Sequence, residues 1–377
     1  MSSSFDRVEK AMDEAVARAV FPGAVLLVNK EGQVVYHRAF GNRSLEPEVT
    51  PLTEDMIFDL SSLTKPLATT IAFLILVRER KLRIDDRVTR LFHNFGVHGK
   101  THITFRHLLT HTSGLPAWRP YFKEILKVER GGRVNFLCSQ GAKQHVFEMI
   151  HREKPDMEPG KAAVYSDLGL MLLGAAIEEV SSLTLDRFCH ERIWKPLGLR
   201  STSFIDLSAV RTRRLVPVTE MIVPTERCEW RKKVLCGEVQ DDNAYAMGGV
   251  AGHAGLFASA ADVNTLVSRL RDSYHGKNAL LPQELVVEAF TRDKSIPQTT
   301  RTLGWDTPSP AGSAAGSRFS ANTVGHLGFT GTSVWLDLDR TVHVVLLSNR
   351  LHPSRANDKI KDFRPVIHDL VMEAIGY

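Results

Sequence analysis

The sequence predicts a mixed α/β (α+β) fold, with strands gathered at the two ends of the chain and helices filling its middle. Three observations predict it. Apolar runs bounded by turn residues occur at 24–36 and again at 323–347, and segments with helical spacing dominate from 83 to about 200. The 377 residues, 43% hydrophobic and 24% charged, suffice for a sizeable core. The expected division is a strand-bearing domain made of 1–82 and 203–377, with a helical domain inserted over 83–202.

Phe5, Val8, Ala11, Met12, Ala15, Val16 and Ala19 recur at helical spacing, which predicts an amphipathic helix over 5–19 that stops at Pro22-Gly23. Ala24 to Val28 is a continuous apolar run, Glu31-Gly32 is a turn signal and Val34 to Tyr36 is a second strand, so this pair forms a hairpin. Residues 42–56, with Pro47 and Pro51, read as loop. From Leu67 to Val77 the chain is apolar nearly all round, which predicts a buried helix with Pro66 in its first turn, where a missing N–H costs little.

Ile84 to Phe92 reads as a short helix, and Thr104 caps another over Phe105 to His111. Residues 118–135 are aromatic and basic. Periodic helices follow at Leu168 to Val180 and Thr184 to Trp194. Residues 202–247 show no clear period. The glycine-rich stretch 248–256 permits close approach of the backbone to a ligand or another segment, and its spacing matches no phosphate loop. Ser259 with Asp262 caps a helix over Val263 to Leu270. After a Ser/Ala/Gly loop at 308–320 come three strands, at 323–329, 333–336 and 342–347, and a final helix over Pro365 to Ala374.

The net charge of +5 is spread thinly over 48 basic and 43 acidic residues, with only short clusters such as Arg231-Lys232-Lys233. A nucleic-acid partner would want a concentrated basic patch. No uncharged apolar run approaches the roughly 18 residues of a membrane span, and the N-terminus lacks a basic stretch followed by an apolar one. Cys138, Cys189, Cys228 and Cys236 form no Cys-x-x-Cys pair and read as free thiols, so a cytoplasmic location is expected. His107 and His111 have the spacing of a zinc-binding helix, but Leu108 stands where glutamate would and no third ligand is evident. They read as structural histidines, and neither metal nor cofactor is expected.

The chemistry starts at Ser62-Leu63-Thr64-Lys65. A helical turn brings residues i and i+3 to one face, so the Ser62 hydroxyl and the Lys65 ammonium can meet as nucleophile and base. Alone, this tetrad reads first as an ordinary capped helix start. Two further groups follow in order, Tyr165-Ser166-Asp167 and His326-Leu327-Gly328. Taken singly, Tyr165 is a core or surface phenol, His326 a half-buried strand residue and Gly328 a bulge or a point of close approach.

Together the three groups resemble the superfamily of serine β-lactamases and penicillin-binding proteins, in particular the class C branch with its related esterases and D-amino-acid peptidases. The pattern there is Ser-x-x-Lys, Tyr-x-Asn or a variant, and Lys or His-x-Gly. The flanks agree from Phe21-Pro22-Gly23-Ala24 through His107 to Leu115 and the glycine turn to Gly325–Thr332. The resemblance implies an antiparallel β-sheet flanked by helices, built from both ends of the chain, with an inserted helical lobe. It implies Ser62 as acyl-accepting nucleophile, Lys65 and Tyr165 sharing its proton, an oxyanion hole formed by the N–H groups of Ser62 and Phe329, and substrate contacts from Asp167, His326 and Gly328.

Two departures from the commonest pattern matter. Asp167 replaces asparagine, and its carboxylate is expected to hold Lys65 charged, which would lower the Tyr165 phenol pKa and make Tyr165 the base. His326 replaces lysine and is mostly neutral at pH 7, which suits less anionic acyl compounds. The expected activity is a serine hydrolase acting through an acyl-enzyme on a carboxylic ester or amide, esterase-like. β-Lactamase or DD-peptidase activity is the alternative, and a non-catalytic module binding acyl or cell-wall ligands is a remote one. The partner is a small-molecule ester, amide or β-lactam.

Overall fold

The computed structural model describes residues 4–277 and 280–377. Its strands are β1 (Gly23–Lys30), β2 (Gln33–Ser44), β3 (Thr50–Pro51), β4 (Phe58–Asp59), β5 (Ser203–Phe204), β6 (Arg227–Cys228), β7 (Lys233–Val234), β8 (Leu256–Ala258), β9 (Thr323–Leu327), β10 (Ser333–Asp337) and β11 (Val342–Ser348). Six of them form one antiparallel sheet in the order β3-β2-β1-β11-β10-β9. The N-terminal hairpin is thereby joined to the C-terminal meander through β1 and β11, where Ala24 pairs with Ser348 and Lys30 with Val342. This is the antiparallel sheet built from both ends of the chain.

The side-chain period of two, with both faces of the sheet covered, explains why β1 is continuously apolar from Ala24 to Val28. Ala24, Leu26 and Val28 point to one face, with Val342, Val344 and Leu346 of β11, and are covered by the terminal helices Asp6–Ala17 and Ile360–Ala374. Val25 and Leu27 point to the other, with Val345 and Leu347, toward a larger core that includes Ile71–Arg78 and Ala260–Tyr274. That core continues into the helices Phe105–Leu109, Gln140–Arg152 and Asp167–Ser181. Among the described residues no single helix is long and apolar enough to cross a membrane.

Several elements differ from their expected form. Ile84 to Phe92 is not a helix but a turn with one short 3₁₀ segment, Val88–Arg90; Arg87 is extended there and forms a bridge with Thr104. Helix Phe105–Leu109 ends two residues early because His111 takes a left-handed φ of 58°. The strand expected over 323–329 stops at Leu327, and the next residues turn. Residues 202–247 hold only elements of two to five residues, including the β6–β7 ribbon and the helix Asp242–Ala246, too short to carry a period.

Candidate active site

Ser62 sits just beyond β4. The Asp59 carboxylate accepts the N–H of Ser61 (2.8 Å), and Ser61 takes a left-handed φ of 49° that turns the chain sharply into the site. Ser61–Leu63 is a 3₁₀ turn rather than the start of an α-helix, and Thr64 continues it in right-handed helical conformation to Lys65, so residues 62 and 65 still lie one turn apart. The expected meeting therefore occurs: Lys65 Nζ lies 2.9 Å from Ser62 Oγ. Lys65–Thr70 then forms a π-helix, containing Pro66, before the α-helix Ile71–Arg78 begins. The fully buried Lys65 ammonium lies among three oxygens: it donates to Ser62 Oγ and to the His253 carbonyl, each at 2.9 Å, and forms an ion pair with Asp167 Oδ1 at 2.8 Å.

Asp167 opens the helix Asp167–Ser181, where a carboxylate suits the helix dipole. Tyr165, two residues earlier, packs against His111 (ring centroids 4.6 Å apart) and His326 (6.0 Å), with the Lys65 ammonium 4.9 Å from its ring centre and the Arg301 guanidinium 5.2 Å away. His111 Nδ1 accepts the N–H of Ser166 (3.0 Å), and His107 completes the Thr104 helix cap, so both histidines have structural partners.

Protonation follows from these contacts. Burial is the largest single influence on Lys65 and disfavours its charge, but Asp167 and Tyr165 together outweigh it and hold the ammonium above the usual lysine range. Lys65 thus stays charged, as expected. The expected lowering of Tyr165 does not occur. Burial raises the phenol pKa, the Asp167 carboxylate raises it further, and attraction to Lys65 and hydrogen bonding to Lys65 and Ser62 do not compensate. At neutral pH both groups hold their protons.

His326, on β9, is buried; burial first, then the charges of Lys65 and Arg301, push its pKa well below the ordinary value. It is neutral, with Nδ1 2.9 Å from the Leu327 carbonyl and therefore carrying the proton. Gly328 and Phe329 follow in a tight turn over 328–332. A Cβ on Gly328 would meet Thr332 Oγ1 at 2.0 Å and the Leu60 carbonyl at 2.6 Å, so glycine is required there by the protein's own backbone. The turn is fastened to the segment before the nucleophile: Thr330 Oγ1 donates to the Asp59 carbonyl (2.7 Å) and Thr332 Oγ1 to the Leu60 carbonyl (3.1 Å). The N–H of Phe329 points toward the Ser62 segment and donates to Ser61 Oγ (3.2 Å).

Ser62, Tyr165 and Phe329 line two adjoining clefts. One, of about 500 Å³, is strongly basic, with Arg301, Arg350, Arg355, Lys361 and Arg364 against Asp306 and Asp358. The other, of about 330 Å³, holds Trp118, Asp167, Asp241, Asp242 and His253. The arginines carried no signal in the sequence, because they come from a loop and from the chain beyond β11 and belong to no motif. His253 had one, the glycine run around it. Gly252 lies so close to the helix Asp167–Ser181 that a Cβ would meet the Leu170 carbonyl at 2.1 Å, and Thr69 Oγ1 donates to the Gly252 carbonyl (2.7 Å). The close approach read from those glycines is to another segment, and it holds the His253 carbonyl against Lys65.

The Beta-lactamase family model matches residues 8–365. The chain belongs to the beta-lactamase family. A family relative from Escherichia coli (strain K12), named "Putative D-alanyl-D-alanine carboxypeptidase", is 33% identical over 365 residues, covering 90% of this chain and 82% of that protein. Among solved structures the fold is shared with EstCE1, a hydrolase with promiscuous acyltransferase activity, at a TM-score of 0.72 and 24% identity over 96% of this chain and 98% of that one. It is shared also with simvastatin synthase (LovD) from Aspergillus terreus, at 0.72 and 19% identity over 99% and 98%. The beta-lactamase-family relationship makes this chain a serine hydrolase in the broad sense and agrees with the α/β architecture seen here.

Proposed function

We propose that this serine hydrolase cleaves a carboxylic ester or amide through an acyl-enzyme on Ser62. The observation that carries the reading is the 2.9 Å contact between Lys65 Nζ and Ser62 Oγ, made by a buried ammonium that Asp167 keeps charged. In the reactive form the Tyr165–Lys65 pair has one proton fewer. Ser62 Oγ attacks the carbonyl carbon and its proton passes to that pair, while negative charge on the carbonyl oxygen is met by the N–H groups of Ser62 and Phe329. Collapse expels the alcohol or amine with the proton, and water then repeats the sequence to release the acid.

The neutral His326 favours an ester or an amide that needs no fixed charge at that strand position. A second reading, a carboxypeptidase acting on a D-residue, is favoured by the basic cleft, where Arg301, Arg350 and Lys361 would receive a carboxylate, and by the name of the Escherichia coli relative. Turnover of a short-chain nitrophenyl ester, a D-Ala-D-Ala peptide and a chromogenic cephalosporin, on wild type and Ser62→Ala, separates these readings. The expected order is ester, then peptide, with the cephalosporin weakest. Ser62→Ala should lose roughly 10⁴-fold or more. A fluorophosphonate should add its mass to Ser62; failure to do so, with activity surviving Ser62→Ala, would sink the reading, and wild type that neither labels nor turns over any of the three would favour a binding module.

A further inference from the structure

Arg364 projects from the helix Ile360–Ala374 and is 6% exposed, yet among the described residues no carboxylate pairs with it. Its charge is met by carbonyl oxygens instead: one terminal nitrogen donates to the carbonyls of Gly328 (3.1 Å) and Thr332 (2.8 Å). Burying a cation without a counter-ion is costly, and an apolar side chain of the same length would fill the space more cheaply. The identity of the acceptor gives the charge a use. The Gly328 carbonyl and the Phe329 N–H are the two ends of one peptide group. A cation at the oxygen end draws electron density away from the nitrogen and makes its N–H a stronger donor. Arg350 braces the next peptide, donating from Nε to the Phe329 carbonyl (2.9 Å).

We propose that Arg364 is a positioning residue for the oxyanion hole: its guanidinium polarises and aims the Gly328–Phe329 peptide so that the Phe329 N–H binds the developing oxyanion more tightly than an unassisted peptide would. The inference rests on the acyl-enzyme reading above. It predicts an effect on the transition state rather than on substrate binding, which a merely structural staple would not produce.

The test uses Arg364→Gln, which keeps amide N–H groups near the turn without the charge, and Arg364→Lys, which keeps the charge. With a nitrophenyl ester, R364Q should lower kcat about 10- to 100-fold, less than the loss of a whole oxyanion donor, with KM nearly unchanged. The affinity of phenylboronic acid, whose boron becomes tetrahedral on Ser62, should fall by the same factor, and R364K should recover most of both. An unchanged kcat in R364Q, a fall in kcat without a fall in boronate affinity, or R364K as impaired as R364Q overturns the proposal. If R364Q does not fold, R364K decides alone: near-wild-type kcat and boronate affinity support the proposal, and a large loss overturns it. Wild type that fails to label at Ser62 removes the acyl-enzyme reading and this inference together. Labelled wild type with an unaffected R364Q removes only this inference.

Discussion

The nucleophile platform, residues 59–70, and the turn over 328–332 lie against each other, and they are built differently. On the platform the buried cation is paired: the Lys65 ammonium meets the Asp167 carboxylate and donates to Ser62 and the His253 carbonyl. The turn has no charged residue of its own: its Thr330 and Thr332 hydroxyls fasten it to the platform, the Arg350 and Arg364 guanidiniums hold its carbonyls from outside, and Gly328 sits where nothing larger would fit. One region presents side chains to the cleft. The other presents backbone held in place by hydrogen bonds.

The largest expected effect breaks the turn. In Gly328→Ala the added methyl meets both the Thr332 hydroxyl and the Leu60 carbonyl, so the Phe329 N–H is displaced. Ester hydrolysis should fall by roughly 10²- to 10³-fold, the loss of one oxyanion donor, and fluorophosphonate labelling should slow with it. Retained activity would mean that the turn can move without consequence.

The next effect probes the paired side. Asp167 raises the pKa of both Lys65 and Tyr165, and the reaction needs that pair with one proton removed. Activity should therefore rise with pH toward the alkaline side, and Asp167→Asn, by lowering both pKa values, should move that limb to lower pH by about one unit or more. A kcat/KM profile that does not shift would detach Asp167 from the proton inventory.

The smallest effect separates stability from catalysis within the turn. Thr332→Val removes one hydrogen bond to the Leu60 carbonyl and should cost about 1 kcal/mol, read as a melting temperature lower by a few degrees. Because Thr330, Arg350 and Arg364 still hold the turn, kcat should change little. A large kcat loss at unchanged melting temperature would give Thr332 a direct part in aiming Phe329.

The same contrast explains what could be read from sequence. Ser62 and Lys65 were legible because spacing alone brings them together, and Tyr165, Asp167 and His326 became legible as an ordered set. The charged Lys65 and the neutral His326 were expected too, but the protonation of Tyr165 was not. The phenol of Tyr165 is raised by burial among His111, His326 and Lys65, which come from separate parts of the chain, and no local pattern reports that. The sheet was legible because β1, β10 and β11 are apolar runs with turns between the last two. The short elements of 202–247 had no period to show. The glycines at 248–255 announced a close approach without naming the partner, which only the meeting with Leu170 and Gly174 supplies.

The pairing of β1 with β11 has a consequence for the making of the protein. Ala24 pairs locally with Phe40, but its neighbour on the other side is Ser348, so the sheet closes across almost the whole chain, an arrangement of high contact order whose loop-closure cost comes before any reward. During synthesis Ser62 leaves the ribosome early, but the strand that completes the sheet and the turn that faces the nucleophile emerge last. A nascent chain stopped before residue 323 would carry the nucleophile and its lysine without a finished pocket, and an acylating probe should ignore it. Reactivity would then appear in one late step, which makes labelling of Ser62 a reporter of completed folding as well as of catalysis.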